Sequence, residues 1–249
     1  LSKIIEGIQG SCNEPQKDLN MAQQQTALIV GASRGLGLAL VGEFLERGWH
    51  VIATQRAPSR DLDALATRFP GSLRVESVDI THANEVRAMR ERLGGDQLDV
   101  LFINAGIARA IEATPVSVGE ADFLDMMLVN SLSPVRAAEI LRDLVPEGGT
   151  IAIMTSELGS IANAEDGWQC YSASKAALNM LMKKYASRYA ADDHALLLLA
   201  PGWVRTAMGG SDALLSIEES IPLVVDVVEA NRGMSGLRYI DRFNRTISW

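Results

Sequence analysis

The sequence predicts one doubly wound, parallel α/β sheet of about seven strands with helices on both faces. Three observations predict it. Short apolar runs alternate with helix-like segments from Thr26 to Ile240. The first run leads directly into a glycine-rich turn that opens a helix. No linker composition or internal repeat divides residues 21–249, so one unit is expected there. A chain of 249 residues, 47% hydrophobic and 22% charged, can bury the core such a sheet needs.

The elements follow in order. Thr26–Val30 is a short apolar run ending at Gly31, which fits a buried strand. Leu36–Arg47 places Leu36, Leu40, Val41 and Phe44 on one helical face, and Gly48 supplies a stop. His50–Thr54 is the second strand. Asp61–Phe69 repeats Leu62, Leu65, Ala66 and Phe69 at helical spacing until Pro70-Gly71 breaks it. Leu73–Val78 is the third strand, and a charged helix runs from Asn84 to Leu93. Leu98–Ile103 is the fourth strand and ends at Asn104-Ala105-Gly106. A long helix is expected over Glu120–Leu144, limited or kinked by Pro134. Thr150–Met154, a helix over Tyr171–Ala190 and Ala195–Leu199 come next. Met208–Ser216 reads as a mobile loop. Ile217–Asn231 and Leu237–Ile240 supply the last helix and strand.

The formal charge of −8 and the pI near 5 weigh against nucleic acid and against an anionic membrane surface as partners. No apolar run approaches the roughly 18 residues of a membrane span. Cys12 and Cys170 have no metal or redox spacing, and His50, His82 and His194 are scattered, so no metal is expected. A reducing, cytoplasmic setting is the simplest reading. Residues 1–20 lack the basic and apolar regions of a signal peptide. They read as an appended extension before a natural start at Met21.

The turn Gly31-Ala-Ser-Arg34-Gly35-Leu-Gly37 has the spacing Gly-x-x-x-Gly-x-Gly. Glycines there let the backbone approach a pyrophosphate, and the helix behind them offers free N–H groups to an anion. The Gly-Lys-Ser/Thr of a nucleotide-triphosphate loop is missing. The second strand runs into Thr54-Gln55-Arg56 without the carboxylate that holds a ribose 2′-hydroxyl in NAD sites. Arg56 and Arg34 instead offer planar cations to a 2′-phosphate, which favours NADP(H).

Tyr171 and Lys175 stand four residues apart, one helical turn, and so leave the same face. A positive charge beside a phenol favours the phenolate, and each unit of depression below about 10 reflects about 1.4 kcal/mol. The pair therefore reads as a proton donor tuned toward neutral pH.

Taken together these motifs resemble the short-chain dehydrogenase/reductase family, from about Thr26 to Trp249. Within it, Leu158-Gly159-Ser160-Ile161, the run Ser174–Met180 and Pro201–Thr206 through Gly210 resemble the group of C-factor proteins and Sniffer carbonyl reductases. Ala200 departs from that group's frequent His. The resemblance implies a Rossmann-type fold and NADP(H) as cofactor. It implies cofactor contacts at Gly31, Ser33, Arg34, Gly35, Leu36 and Gly37, at Gln55, Arg56, Asp79 and Ile80, at Asn104, Ala105 and Gly106, and at Pro201, Gly202, Val204 and Thr206. It also implies a catalytic set: Tyr171 as general acid, Lys175 tuning it and binding ribose, Ser156 orienting the carbonyl, and Asn130 holding a relay water.

The implied reaction is hydride transfer between NADP(H) and a carbonyl or secondary alcohol, with a small neutral aldehyde or ketone as the expected substrate. Residues 157–169 and 208–220 are expected to line it, including Trp168, Met208, Leu214 and Leu215, while Glu157, Glu165 and Asp166 disfavour an anion. The alternative is a cofactor-binding signalling protein with incidental catalysis. A homodimer or homotetramer is compatible with the resemblance.

Overall fold

Seven strands line up edge to edge in the computed structural model, which describes residues 24–249. The extension expected over residues 1–20, and Cys12 within it, lie outside the described residues. The strands are β1 (Thr26–Val30), β2 (His50–Gln55), β3 (Leu73–Ser77), β4 (Val100–Ile103), β5 (Thr150–Met154), β6 (Ala195–Ala200) and β7 (Gly236–Asp241). Their order is β3-β2-β1-β4-β5-β6-β7, and every neighbouring pair is parallel. The order reverses between β1 and β4, where a doubly wound sheet opens a crevice at its carboxyl edge.

Alternation along the strands divides the core in two. Leu28 and Val30 face one side, with Met89 of α3 (Ala83–Leu93), Leu141 of α5 (Ser133–Leu141) and Leu178 and Met182 of α6 (Gln169–Arg188). Ala27 and Ile29 face the other, with Leu40 and Phe44 of α1 (Gly35–Glu46), Leu62 of α2 (Arg60–Arg68) and Val224 and Val228 of α7 (Ile217–Ala230). Each such side chain contributes about 1.5–3 kcal/mol over its exposed state. Both faces are covered, which suits an all-parallel sheet.

Strand and helix ends differ from expectation by one or two residues. One helix differs in kind. The segment expected to run from Glu120 to Leu144 is α4 (Glu120–Met127), a π turn over Leu128–Leu132, α5, and a 3₁₀ turn over Arg142–Leu144. Pro134 has no N–H, and its ring crowds the carbonyl four residues back, that of Asn130. A wider turn at that point lets the helix continue past the proline.

The expected mobile loop at 208–216 is instead fastened. Arg205 donates to the carbonyls of Ala213 and Leu214 at 2.9 and 3.1 Å. The Trp203 indole donates to the Gly209 carbonyl at 2.8 Å, and Leu215 exchanges backbone bonds with Trp203 and Arg205. Ser216 and Glu219 close a reciprocal cap on α7. Among the described residues, no helix is long and apolar enough to cross a membrane, and no cluster of His, Cys, Asp and Glu could hold a metal.

Candidate active site at the carboxyl edge of the sheet

The glycine turn sits where β1 meets β4. Gly31 has φ +86°, and a Cβ on it would lie 2.7 Å from the Ala105 backbone. A Cβ on Gly37 would fall 2.0 Å from the Gly31 carbonyl oxygen, so α1 packs against the turn with no room for a side chain. Asn104 fixes the arrangement: its Nδ2 donates to the Gly31 carbonyl at 2.9 Å, and the backbone N–H groups of Asn104 and Ala105 both donate to the Val30 carbonyl. Gly35 differs from its neighbours. Its φ is +57°, and the nearest atom a Cβ would meet is Thr206 Cγ2 at 3.9 Å. A methyl group at Gly35 would thus just reach the Pro201–Thr206 segment without crowding it. No side chain caps the N-terminus of α1, whose Arg34 stands at the N-cap in extended backbone.

Towards β2 and β3 the expected contacts gather on one rim. Gln55 turns its side-chain carbonyl to the Ser59 N–H at 2.9 Å, and the Ser59 hydroxyl donates to the Ser33 carbonyl at 2.8 Å, joining the glycine turn to the segment after β2. Arg34 is exposed, and Arg56 is 78% exposed, its guanidinium 3.9 Å from Asp79. Burial pushes the Asp79 carboxyl up, but the Thr81 hydroxyl and N–H, helped by Arg56, outweigh it and hold Asp79 below its ordinary value. Ile80 and Leu36 pack into the core on opposite faces of the sheet.

The four residues expected to handle the proton meet around β5, the π turn and α6. Asn130, fully buried in the π turn, accepts from the Ile107 N–H and donates to the Ile107 carbonyl, both at 2.8 Å, and donates to Ser174 Oγ at 3.0 Å. A Cβ on Gly106 would lie 3.4 Å from Asn130 Oδ1 and 3.7 Å from Lys175 Nζ, so β4, the π turn and α6 converge there. Lys175 Nζ donates to the Met154 carbonyl at 3.0 Å and lies 5.7 Å from the centre of the Tyr171 ring. Ser156 begins a 3₁₀ turn (Glu157–Gly159), its Oγ accepts from the Leu158 N–H at 3.2 Å, and its hydroxyl stands beside the Tyr171 phenol.

One electrostatic expectation is corrected. Tyr171 is not tuned downward: burial pushes its phenol up to about 12, against a lesser pull from Ser156. Burial also draws Lys175 down to about 8. Desolvation disfavours both charged forms, and the ammonium is turned to Met154 rather than to the phenol.

The substrate side is part apolar. Met126, Cys170 and Tyr171 form a small buried cluster, with Ile107, Phe123 and Trp168 against it. Trp168 enters α6 at φ +51° and sets its indole edge-on to Tyr171, centres 5.5 Å apart. Leu214 is almost fully exposed and Met208 marginally so, and Glu157, Glu165 and Asp166 lie on the surface. Four residues bracing the site had not been expected. Ser131 and Ser174 tie the π turn to α6, since Ser131 Oγ donates to the Ser174 carbonyl at 2.6 Å. Asn179 and Tyr239 brace the Ser156 turn. Asn179, four residues beyond Lys175, was legible from helical spacing; Tyr239, 83 residues from Ser156, was not.

The short chain dehydrogenase family model matches residues 25–213. A short-chain dehydrogenase/reductase from Burkholderia multivorans, solved with bound NADP, is 49% identical with a TM-score of 0.89, over 91% of this chain and 100% of that one. A carbonyl reductase from Pseudomonas aeruginosa PAO1 in complex with NADP is 37% identical with a TM-score of 0.84, at the same coverages. The C-signal protein of Myxococcus xanthus is 30% identical over 170 residues, 66% of this chain and 100% of its own length.

Proposed function

This chain belongs to the short-chain dehydrogenase family, and from that premise we propose that it is an NADP(H)-dependent reductase of a small neutral aldehyde or ketone. The observation that carries the reading is the meeting of Ser156, Tyr171, Lys175 and Asn130 beside a glycine turn whose helix N-terminus no side chain caps. The residues fit a dinucleotide. Gly35 carries no side chain on the side facing Thr206, and the α1 N-terminus, which no side chain caps, has N–H groups to give a pyrophosphate. Arg34 and Arg56 lie where a 2′-phosphate would be met, with no carboxylate at the end of β2. Two related structures hold NADP. When bound, the dinucleotide supplies the hydride that reduces the carbonyl carbon.

The chain's own residues manage the oxygen and the proton. Ser156 Oγ accepts from the Leu158 N–H through a lone pair, which leaves its O–H free to donate to the carbonyl oxygen. Tyr171, protonated throughout the neutral range, gives its proton to that oxygen as general acid. Lys175 keeps its charge below about pH 8 and steadies the phenolate left behind. Asn130 commits its side chain to Ile107 and Ser174. Its backbone carbonyl, which loses its regular helical donor at Pro134, is the acceptor for a relay water.

Tyr171→Phe should retain NADPH binding, read by quenching of tryptophan fluorescence, and lose turnover by about 10² or more. Undiminished turnover removes Tyr171 from the mechanism. A kcat/KM favouring NADH over NADPH overturns the cofactor assignment. NADPH binding without turnover on any of a panel of dicarbonyls and aromatic aldehydes would favour a signalling role instead.

A further inference from the structure

The turn that carries Ser156 is held from three sides. From α6, Asn179 Oδ1 accepts from the Thr155 hydroxyl at 2.8 Å and Nδ2 donates to the Gly159 carbonyl at 3.1 Å. The turn lies directly on the helix: a Cβ on Gly159 would be 3.1 Å from the Lys175 backbone. From β7, the buried Tyr239 phenol donates to the Ser156 carbonyl at 2.6 Å, with a longer contact to the Glu157 carbonyl at 3.4 Å. From beyond β7, Trp249 packs its ring 5.4 Å from that of Tyr239 and accepts at its carbonyl from the Ala162 N–H at 3.0 Å. Lys183 stands 4.5 Å over the Trp249 ring.

We infer that Tyr239 is a positioning residue for the reaction, acting through the Ser156 carbonyl to aim the Ser156 hydroxyl, with Trp249 holding the phenol in place. This rests on the reductase reading above. The bond is suited to the task. A tyrosine must remain O–H to donate to a carbonyl, and burial keeps this phenol protonated up to about pH 12. Within the short turn the Ser156 carbonyl also accepts from the Gly159 N–H at 3.0 Å and its Oγ accepts from the Leu158 N–H, so the Tyr239 bond is what ties this closed turn to β7. A shift of the carbonyl therefore turns the whole cap, and with it the hydroxyl beside Tyr171.

The test is a double-mutant cycle of Tyr239→Phe with Ser156→Ala, measured as NADPH-dependent reduction of a carbonyl that the wild type accepts. Tyr239→Phe should lower kcat about tenfold, within the hundredfold that a 1 Å misplacement can cost, with KM for NADPH unchanged. In the Ser156→Ala background it should lower kcat no further, since the two act in series. Hydrogen exchange of the Leu158 amide should quicken in Tyr239→Phe without cofactor or substrate. Trp249→Ala, made at a partly exposed position, should reproduce a smaller, equally non-additive loss if Tyr239→Phe folds poorly. Additive losses, or wild-type kcat with unchanged exchange, overturn the positioning role and leave the reductase reading intact. A Ser156→Ala variant with full kcat overturns this inference and leaves the reductase reading standing, whereas a wild type that reduces no carbonyl overturns both.

Discussion

Lys175 is 4% exposed and its ammonium rests on one backbone carbonyl, that of Met154. Burial lowers it from 10.5 to about 8, so between those values the unfolded chain binds more protons than the folded one. Stability must then rise with pH across that window. Tyr171 acts in the opposite sense above its unfolded value of 10.0: with its folded pKa near 12, the folded chain holds the proton longer and stability falls as pH climbs. The clean interval is pH 8 to 10. Urea unfolding over that interval should show the wild type gaining about 2 kcal/mol on Lys175→Met; a constant difference would contradict the lowered pKa. At this scale the sequence could place Tyr171 and Lys175 on one face, because helical spacing is local. It could not give the direction of the phenol shift, because burial is assembled from β5, α4 and α6 together. A phenol near 12 also means that the pair alone does not activate Tyr171.

Two of the three glycines in helix α1 make opposite demands. Gly37 meets the Gly31 carbonyl and Asn104, whereas a Cβ on Gly42 would touch nothing within 4 Å. Gly42→Ala should therefore stabilise the protein by about 0.5–1 kcal/mol, the helix penalty of glycine. Gly37→Ala should destabilise it by at least about 2 kcal/mol through overpacking and weaken NADPH binding. Thermal melts with and without NADPH check both, and equal effects of the two substitutions would sink the close-packing account of the turn. The glycine turn was readable because it sits in one short stretch whose chemistry is backbone geometry. The π turn was not. Pro134 announced a disturbance, but whether a helix kinks, ends or widens there depends on what packs around Asn130, and those partners, Ile107 and Ser174, come from elsewhere in the chain. The fastening of 208–216 was hidden for the same reason: glycines and serines suggested mobility, while Arg205 and Trp203 hold the segment by side-chain bonds to its carbonyls.

For the whole molecule, strict strand–helix alternation was enough to give the parallel sheet, since each crossover must return the chain to the same edge. Apolar runs marked the inner strands β1, β2, β4, β5 and β6, which are buried on both faces, whereas the edge strands β3 and β7 interleave Arg74, Glu76 and Arg238. A ligand that binds the folded crevice should stabilise the entire sheet. NADPH at 100 times its Kd adds about 2.7 kcal/mol, a rise in melting temperature of about 5–10 °C for a domain of this size. NADH at the same concentration should give less, and an equal shift would remove the role assigned to Arg34 and Arg56. The placement of Tyr239 has a consequence for biosynthesis. The pyrophosphate cradle is complete in sequence once Gly106 has been made, whereas the bond steadying Ser156 comes from a strand that begins at Gly236. On the ribosome, where chains emerge from the N-terminus, the glycine turn proposed to hold the dinucleotide phosphates is thus made long before the strand proposed to steady Ser156. On the proposed reading, chains arrested before β7 lack the donor that steadies Ser156 and should turn over more slowly than the full chain.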